Sequence, residues 1–402
     1  MRQPPPSAAL VSWIEGQMQR YGFPGASVAV IKDYRIEWAQ GFGLSDKENR
    51  IEVTERTLFQ AASVSKAVTA AAALIAAEEK HLSIDDDINT VFRTDHPEPS
   101  VGPWRLADSH DPNAPATLRL LLSHTAGTSD FRYSGYRYGY YDTPPRPIDR
   151  LPSLHEELTG LPPANTPAIK VERQPGVYWR YSPAGYTVVQ AALMDLYGTD
   201  FAAVMRRLVL APLGMDDSTF AQPVPDAYIP RMAVPYRPDG QRLSDGPRVF
   251  IASASGGLTT TPTDLAKFVI ALQKALQGQS QGAITPRIAE AMMTRQPGRV
   301  LGECFLTDDP GEKACRSSWG LGLDVNLTKY FAHQPDGAPT GNYFGHTGFN
   351  SGYLALLMGS KTDGNGIAIL VNMAPEDMSG SVPQFPFLTD LVRRVADEEG
   401  WK

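Results

Sequence analysis

The chain has 402 residues, 42% hydrophobic and 20% charged, with a net charge of −7 and a pI near 5.6. This is the composition of an ordinary soluble globular protein, long enough for a large core built as two closely packed lobes. The acidic balance and the lack of any basic run exclude a nucleic-acid binder, and no stretch approaches the ~20 apolar residues of a membrane span.

Met1-Arg2-Gln3-Pro4 opens no signal-peptide pattern, which on its own reads as cytoplasmic. Leu10, Val11, Trp13, Ile14 and Met18 mark an amphipathic helix over Ala8 to Tyr21 that ends near Gly22. Gly25 to Ile31 and Arg35 to Gly41 read as a strand pair joined by Lys32-Asp33-Tyr34. An Ala-rich helix without Gly or Pro follows, from Ser65 to Lys80, and immediately before it stands Ser63-Val64-Ser65-Lys66. A serine and a lysine three apart at a helix start share one face. The serine N–H is then among the unpaired donors at the helix N-terminus, where developing negative charge is favoured. That suits a nucleophile with a proton acceptor beside it. Taken alone, however, Ser-x-x-Lys is a short pattern that chance supplies about once in a chain of this length.

Residues Thr94 to Pro115 are rich in Pro, Asp and His and read as loop. Thr117 to Gly127 forms a short helix closed by glycine, and His124 at its end reads as structural rather than as a base. Phe131, Tyr133, Tyr136, Tyr138, Tyr140 and Tyr141 follow in a Gly-punctuated run that fits equally a packed aromatic loop and a substrate wall. Pro144 to Pro175 is a proline-rich excursion over the surface. Tyr181-Ser182-Pro183 leads into a helix over Thr187 to Tyr197, and Phe201 to Leu210 is another. Thr261, Pro262 and Asp264 give an N-cap, a first helical residue and the acidic partner of a capping box for a helix to about Leu276; Pro286 to Gln296 is a further helix. Cys304 and Cys315 lie close together, which favours a bridge worth about 2–3 kcal/mol over free thiols. A bridge would point to a periplasmic or secreted protein.

The tail reads as strands over Trp319 to Val325, Tyr343 to Thr347, Tyr353 to Gly359 and Gly366 to Met373, closed by an amphipathic helix over Leu388 to Glu399. Strands at both ends with helices between predict an α+β fold: one antiparallel sheet built from both termini and flanked by helices, with a mainly helical lobe inserted. The lobes are expected as residues 1–62 with 245–402, and 63–244, with the active site in the groove between them.

Six motifs occur in order: Ser63-Val64-Ser65-Lys66, Leu121 to Gly127, Tyr181-Ser182, Pro212-Leu213-Gly214-Met215, Ser255-Gly256-Gly257-Leu258 and His346-Thr347-Gly348. Together they resemble the serine β-lactamase/penicillin-binding-protein superfamily in its class C branch, which includes D,D-peptidases, D-aminopeptidases and family VIII carboxylesterases. The resemblance covers about Gly25 to Met373. It implies Ser63 as the acylated nucleophile, Lys66 as its base or proton relay, and Tyr181 as the group that exchanges protons with nucleophile and leaving group. The oxyanion hole would be the backbone N–H groups of Ser63 and Phe349. His346, Thr347 and Gly348 would contact substrate, with Tyr133 and Tyr136 as the candidate acyl-pocket wall.

Two departures from the family pattern bear on substrate. The tyrosine motif usually ends in asparagine, whose amide helps hold a β-lactam or peptide side chain; here Pro183 offers no donor or acceptor. The usual Lys-Thr-Gly is His-Thr-Gly, and a histidine near neutrality is a weaker carboxylate anchor than lysine, although some D,D-peptidases carry it. No Gly-x-Ser-x-Gly elbow, phosphate-binding glycine loop, Cys-x-x-Cys or His-Glu-x-x-His occurs, so neither a cofactor nor a metal is expected. The expected activity is hydrolysis of small esters through an acyl-enzyme. A D,D-peptidase, D-amino-acid amidase or weak β-lactamase is the alternative, and a non-catalytic ligand-binding relative is a third reading.

Overall fold

A computed structural model describes residues 5–92, 104–108, 114–131, 133–137, 150–244, 246–300, 317–327, 342–375 and 385–401. Cys304, Cys315, Tyr138, Tyr140 and Tyr141 lie outside the described residues.

The apolar run at Gly25–Lys32 (β1) is buried at every position but the last, as a strand covered on both faces must be. It pairs antiparallel on one side with Arg35–Asp46 (β2), which in turn carries the short Ile51–Glu52 (β3). Its other neighbour comes from the far end of the chain. Tyr343–Asn350 (β4), Tyr353–Ser360 (β5) and Gly366–Val371 (β6) form a meander, and Ala26 pairs with Val371 through to Ile31 with Gly366. The sheet order is therefore β4-β5-β6-β1-β2-β3, built from both ends of the sequence. Strand β4 runs three residues past its expected end at Thr347, and the β4–β5 hairpin turns at Ser351 and Gly352, where φ is +77°.

Period-2 alternation divides the sheet's residues between two cores. Val28, Val30, Leu354, Leu356, Ile367 and Ile369 pack beneath two amphipathic helices, Ala8–Tyr21 (α1) and Phe385–Glu399 (α10). Ser7 caps α1 by accepting the Leu10 N–H, and Gly22 ends it at φ +75°. Ala29, Ile31, Ala355, Leu357 and Leu370 face the other way, into a larger core. That core holds Ser65–Glu79 (α2), Leu118–Leu122 (α3), Leu154–Thr159 (α4), Pro183–Tyr197 (α5), Phe201–Met205 (α6), Ser253–Gly256 (α7), Pro262–Leu276 (α8) and Pro286–Met293 (α9). Among the described residues no helix is long and apolar enough to cross a membrane.

Four further local expectations are revised. Helix α5 begins at Pro183 rather than Thr187, because Ser182 caps it by accepting the Gly185 N–H and Pro183 takes the first helical position, where its missing N–H costs nothing. Helix α6 stops at Met205 and widens into a π-turn over Arg206–Leu210. Thr261 caps α8 as expected, but the Asp264 carboxylate turns away from the box to accept from the Asp217 N–H, the Ser218 hydroxyl and Lys267. The stretch Trp319 to Val325 is not a strand. It folds back on itself, with the Gly320 N–H donating to the Leu323 carbonyl at 2.8 Å and Gly322 at φ +85°. Two glycines force this packing: a Cβ at Gly320 would lie 2.1 Å from the Met292 carbonyl oxygen, and one at Gly322 would lie 2.4 Å from Ala70 Cβ on α2.

Candidate active site

Ser63 lies in a short 3₁₀ turn, Ala62–Val64, that runs directly into α2. From Leu58 to Ala77 it is the one residue not classed as buried, so the chain presents a single hydroxyl from an otherwise closed stretch. Ala62 precedes it at φ +49°, a left-handed conformation that costs a non-glycine residue about 1–3 kcal/mol. Ser65 holds the turn: its hydroxyl donates to the Ala62 carbonyl at 2.5 Å and accepts the Leu258 N–H at 3.0 Å. The Ala61 N–H donates to the Leu258 carbonyl at 2.8 Å.

Lys66, one turn into α2, is 1% exposed. Its Nζ lies 3.1 Å from Ser63 Oγ and donates to the Ser255 carbonyl at 2.5 Å. The Ser255-Gly256-Gly257-Leu258 segment is thus a backbone platform under the serine–lysine pair. Gly257 is needed there, since a Cβ would lie 2.4 Å from Ser253 Oγ. The rings of Tyr181 and Tyr186 complete the lysine's surroundings, with centroids 4.9 and 5.8 Å from Nζ.

Strand β4 forms the other wall. Gly348 passes so close to the Ser63 turn that a Cβ would lie 2.2 Å from the Ala61 carbonyl oxygen. Asn350 ties the strand's end to the platform by donating to Gln60 Oε1 at 3.0 Å and to the Gly256 carbonyl at 3.1 Å. β4 is an edge strand, and Gly345 exchanges backbone hydrogen bonds with Asp324 across that edge. By the two-residue period, the Thr347 and Phe349 N–H groups point out of the same edge, away from β5. Phe349 N–H therefore stands one residue beyond the close approach at Gly348. His346 is buried and its Nδ1 meets the Thr347 carbonyl at 2.5 Å. Its ring lies 5.2 Å from Trp319 and 6.1 Å from Tyr181.

Tyr181 is half-buried at the end of the segment before α5. Its ring packs on His124 at 4.4 Å and edge-on to Trp319 at 5.9 Å. Pro183 is buried in the first turn of α5. The two aromatic-run candidates separate. Tyr133 is half-buried and accepts a hydrogen bond from Thr187 on α5 at 2.8 Å, and burial holds its phenol well above 10. Tyr136 is buried and committed elsewhere: its hydroxyl donates to Glu157 Oε1 at 2.5 Å and accepts the Asn165 N–H at 3.0 Å.

The Beta-lactamase family model matches residues 10–383. The chain belongs to the beta-lactamase family. Esterase EstB of Burkholderia gladioli is 32% identical over 241 residues, 58% of this chain and 56% of the esterase. The first curated relatives are matched over only 37% to 56% of their own length. The octameric penicillin-binding protein homologue from Pyrococcus abyssi superposes with a TM-score of 0.67 at 22% identity, covering 96% of this chain and 77% of that one. The D-amino acid amidase from Ochrobactrum anthropi SV3 superposes with a TM-score of 0.67 at 19% identity, covering 97% and 99%. At these identities the structural likeness speaks for the fold alone, an antiparallel sheet with helices.

Within this beta-lactamase-family site, sequence reasoning missed the Ser255 carbonyl and Trp319. Ser255 acts through its backbone, which no side-chain pattern reveals. Trp319 was hidden by the apparent strand, and the signal for it was the Gly320 and Gly322 spacing, which breaks a strand and fits a close turn.

Proposed function

We propose that the protein is a serine hydrolase that works through an acyl-enzyme on Ser63 and acts on small carboxylic esters. The observation that carries this reading is the 3.1 Å contact between Lys66 Nζ and the one incompletely buried hydroxyl of its stretch, Ser63 Oγ. In this reading Ser63 Oγ attacks the ester carbonyl carbon and its proton passes to uncharged Lys66. The tetrahedral oxygen takes hydrogen bonds from the N–H groups of Ser63 and Phe349, each worth about 3–4 kcal/mol in the transition state. Tyr181 delivers a proton to the departing alkoxide oxygen as the carbon–oxygen bond breaks, and takes in return the proton that Lys66 received from Ser63. Water then attacks the acyl-serine, releasing the acid and restoring Ser63. His346, Thr347 and Gly348 on β4 would line the bound substrate.

Pro183 supports esters over β-lactams and peptides. It is buried at the first position of α5 and presents no side-chain donor or acceptor. A substrate amide left buried and unpaired there loses roughly 1–3 kcal/mol, about 5- to 150-fold in rate. A short activated ester has no such amide. The similarity to esterase EstB fits this choice.

The test is to measure kcat/KM for p-nitrophenyl butyrate, nitrocefin and a D-Ala-D-Ala peptide. The butyrate ester is expected to exceed the other two by at least about tenfold, with Pro183→Asn raising nitrocefin turnover more than ester turnover. Nitrocefin or the peptide as the better wild-type substrate would replace the ester reading with the β-lactamase or D,D-peptidase one. No turnover of any, with no acylation, would point to a non-catalytic relative.

A further inference from the structure

His124 ends the turn after α3 at φ +61°, and it holds the chain on both sides of Tyr181. Its carbonyl accepts the Arg180 N–H at 2.9 Å, and its Nδ1 accepts the Ser182 N–H at 3.1 Å. Between these two bonds its ring lies on the Tyr181 ring, 4.4 Å between centroids and tilted by 35°. Trp319 meets the His124 ring edge-on at 5.2 Å, and Tyr186 lies at 5.3 Å.

We propose that His124 is the positioning residue for Tyr181: it clamps the peptide groups flanking the tyrosine and packs on its ring, so fixing the phenol relative to Lys66 and Ser63. Nδ1 accepts from Ser182, so the ring's proton sits on Nε2 and no lone pair is left to take a proton from Ser63. His124 is therefore not a base. Its surroundings keep it uncharged: it is 2% exposed, and burial above all holds its pKa well below 6.5. The left-handed backbone is what lets one residue offer carbonyl and ring to the same neighbour segment. Few side chains adopt that conformation, and of those asparagine alone keeps an uncharged acceptor near the place of Nδ1.

The inference rests on the reading of Tyr181 as the acid for the leaving group, and that reading gives a readout that general destabilisation would not move. An ethyl ester needs its leaving alkoxide protonated, whereas p-nitrophenolate departs unprotonated. Ethyl and p-nitrophenyl butyrate are compared by kcat/KM for wild type, His124→Gly, His124→Asn and Tyr181→Phe. Glycine accepts φ +61° and keeps the backbone bond while removing ring and acceptor. His124→Gly should lose about 10²-fold on the ethyl ester and less than about tenfold on the p-nitrophenyl ester, and His124→Asn should recover at least about tenfold of the former. Where His124→Gly does not fold, His124→Asn, which tolerates φ +61° but lacks the ring that packs on Tyr181, should itself lose more on the ethyl ester than on the p-nitrophenyl ester. Equal losses on both esters in the His124 variants, beside a selective loss in Tyr181→Phe, would overturn the positioning role. Equal losses in Tyr181→Phe itself would overturn the reading of Tyr181 instead.

Discussion

Gly348 and the Ala61 carbonyl oxygen are so close that a Cβ on Gly348 would stand 2.2 Å from it. Both partners are backbone, one on the edge strand and one leading into the nucleophile's turn, so neither can give way as a side chain would. This approach fixes the separation of the two N–H groups proposed as the oxyanion hole. Gly348→Ala is expected to push the strand from the turn and remove one donor's alignment, lowering kcat/KM for p-nitrophenyl butyrate by about 10²- to 10³-fold. A thermal scan alongside checks that the variant is folded. Activity within a few-fold of wild type would mean that the strand's position does not matter for catalysis.

Burial of His124 makes a prediction about acid stability. Its folded pKa lies well below the ordinary 6.5, so below pH 6.5 the unfolded chain binds a proton that the folded chain does not. Stability from this group is complete above pH 6.5 and is lost as pH falls toward the folded value, by up to about 1.4 kcal/mol per pH unit. His124→Asn has no such proton to bind. Urea unfolding at pH 7 and pH 5 should show wild type losing more stability over that interval than the variant. Parallel losses would mean that the imidazole is charged in the fold.

Tyr133 and Tyr136 should behave differently although the sequence sets them side by side. Tyr136→Phe leaves buried Glu157 without its short hydrogen bond, costing about 1–3 kcal/mol of stability with little change in the ranking of acyl chain lengths. Tyr133 sits against α5 one turn beyond Pro183 through Thr187, and Tyr133→Ala should change that ranking. Initial rates on p-nitrophenyl acetate, butyrate and octanoate, with thermal midpoints, separate the two. A uniform loss across all three esters in Tyr133→Ala would make it a packing residue like Tyr136.

The fold was legible where local pattern and tertiary role agree. The β1 run, the three-stranded meander and the capped helices α1 and α8 each carry their own signal in hydrophobic period, glycine and cap. Legibility failed where a long-range contact decides the conformation. Trp319 to Val325 has the residues of a strand, yet the carbonyl of Met292 and the alanines of α2 leave room only for a glycine turn. Of the site, Ser63 and Lys66 could be read because their spacing on a helix is itself the geometry. The Ser255 carbonyl could not, because Lys66 reaches it across 189 residues of sequence and any residue type offers a carbonyl. His124 looked structural at a helix end, and its clamp on the Tyr181 segment exists only once residues 58 apart in sequence are folded together.

The central claim is that one serine, Ser63, carries the acyl group. The direct measurement is an intact-mass spectrum of the full chain after brief reaction with an alkyl fluorophosphonate, followed by peptide mapping of the adduct. One adduct is predicted, on the peptide containing Ser63, with none on the Ser63→Ala variant and loss of ester turnover in step with labelling. An adduct on Ser65 or Ser182, or ester turnover that survives Ser63→Ala, would contradict the account.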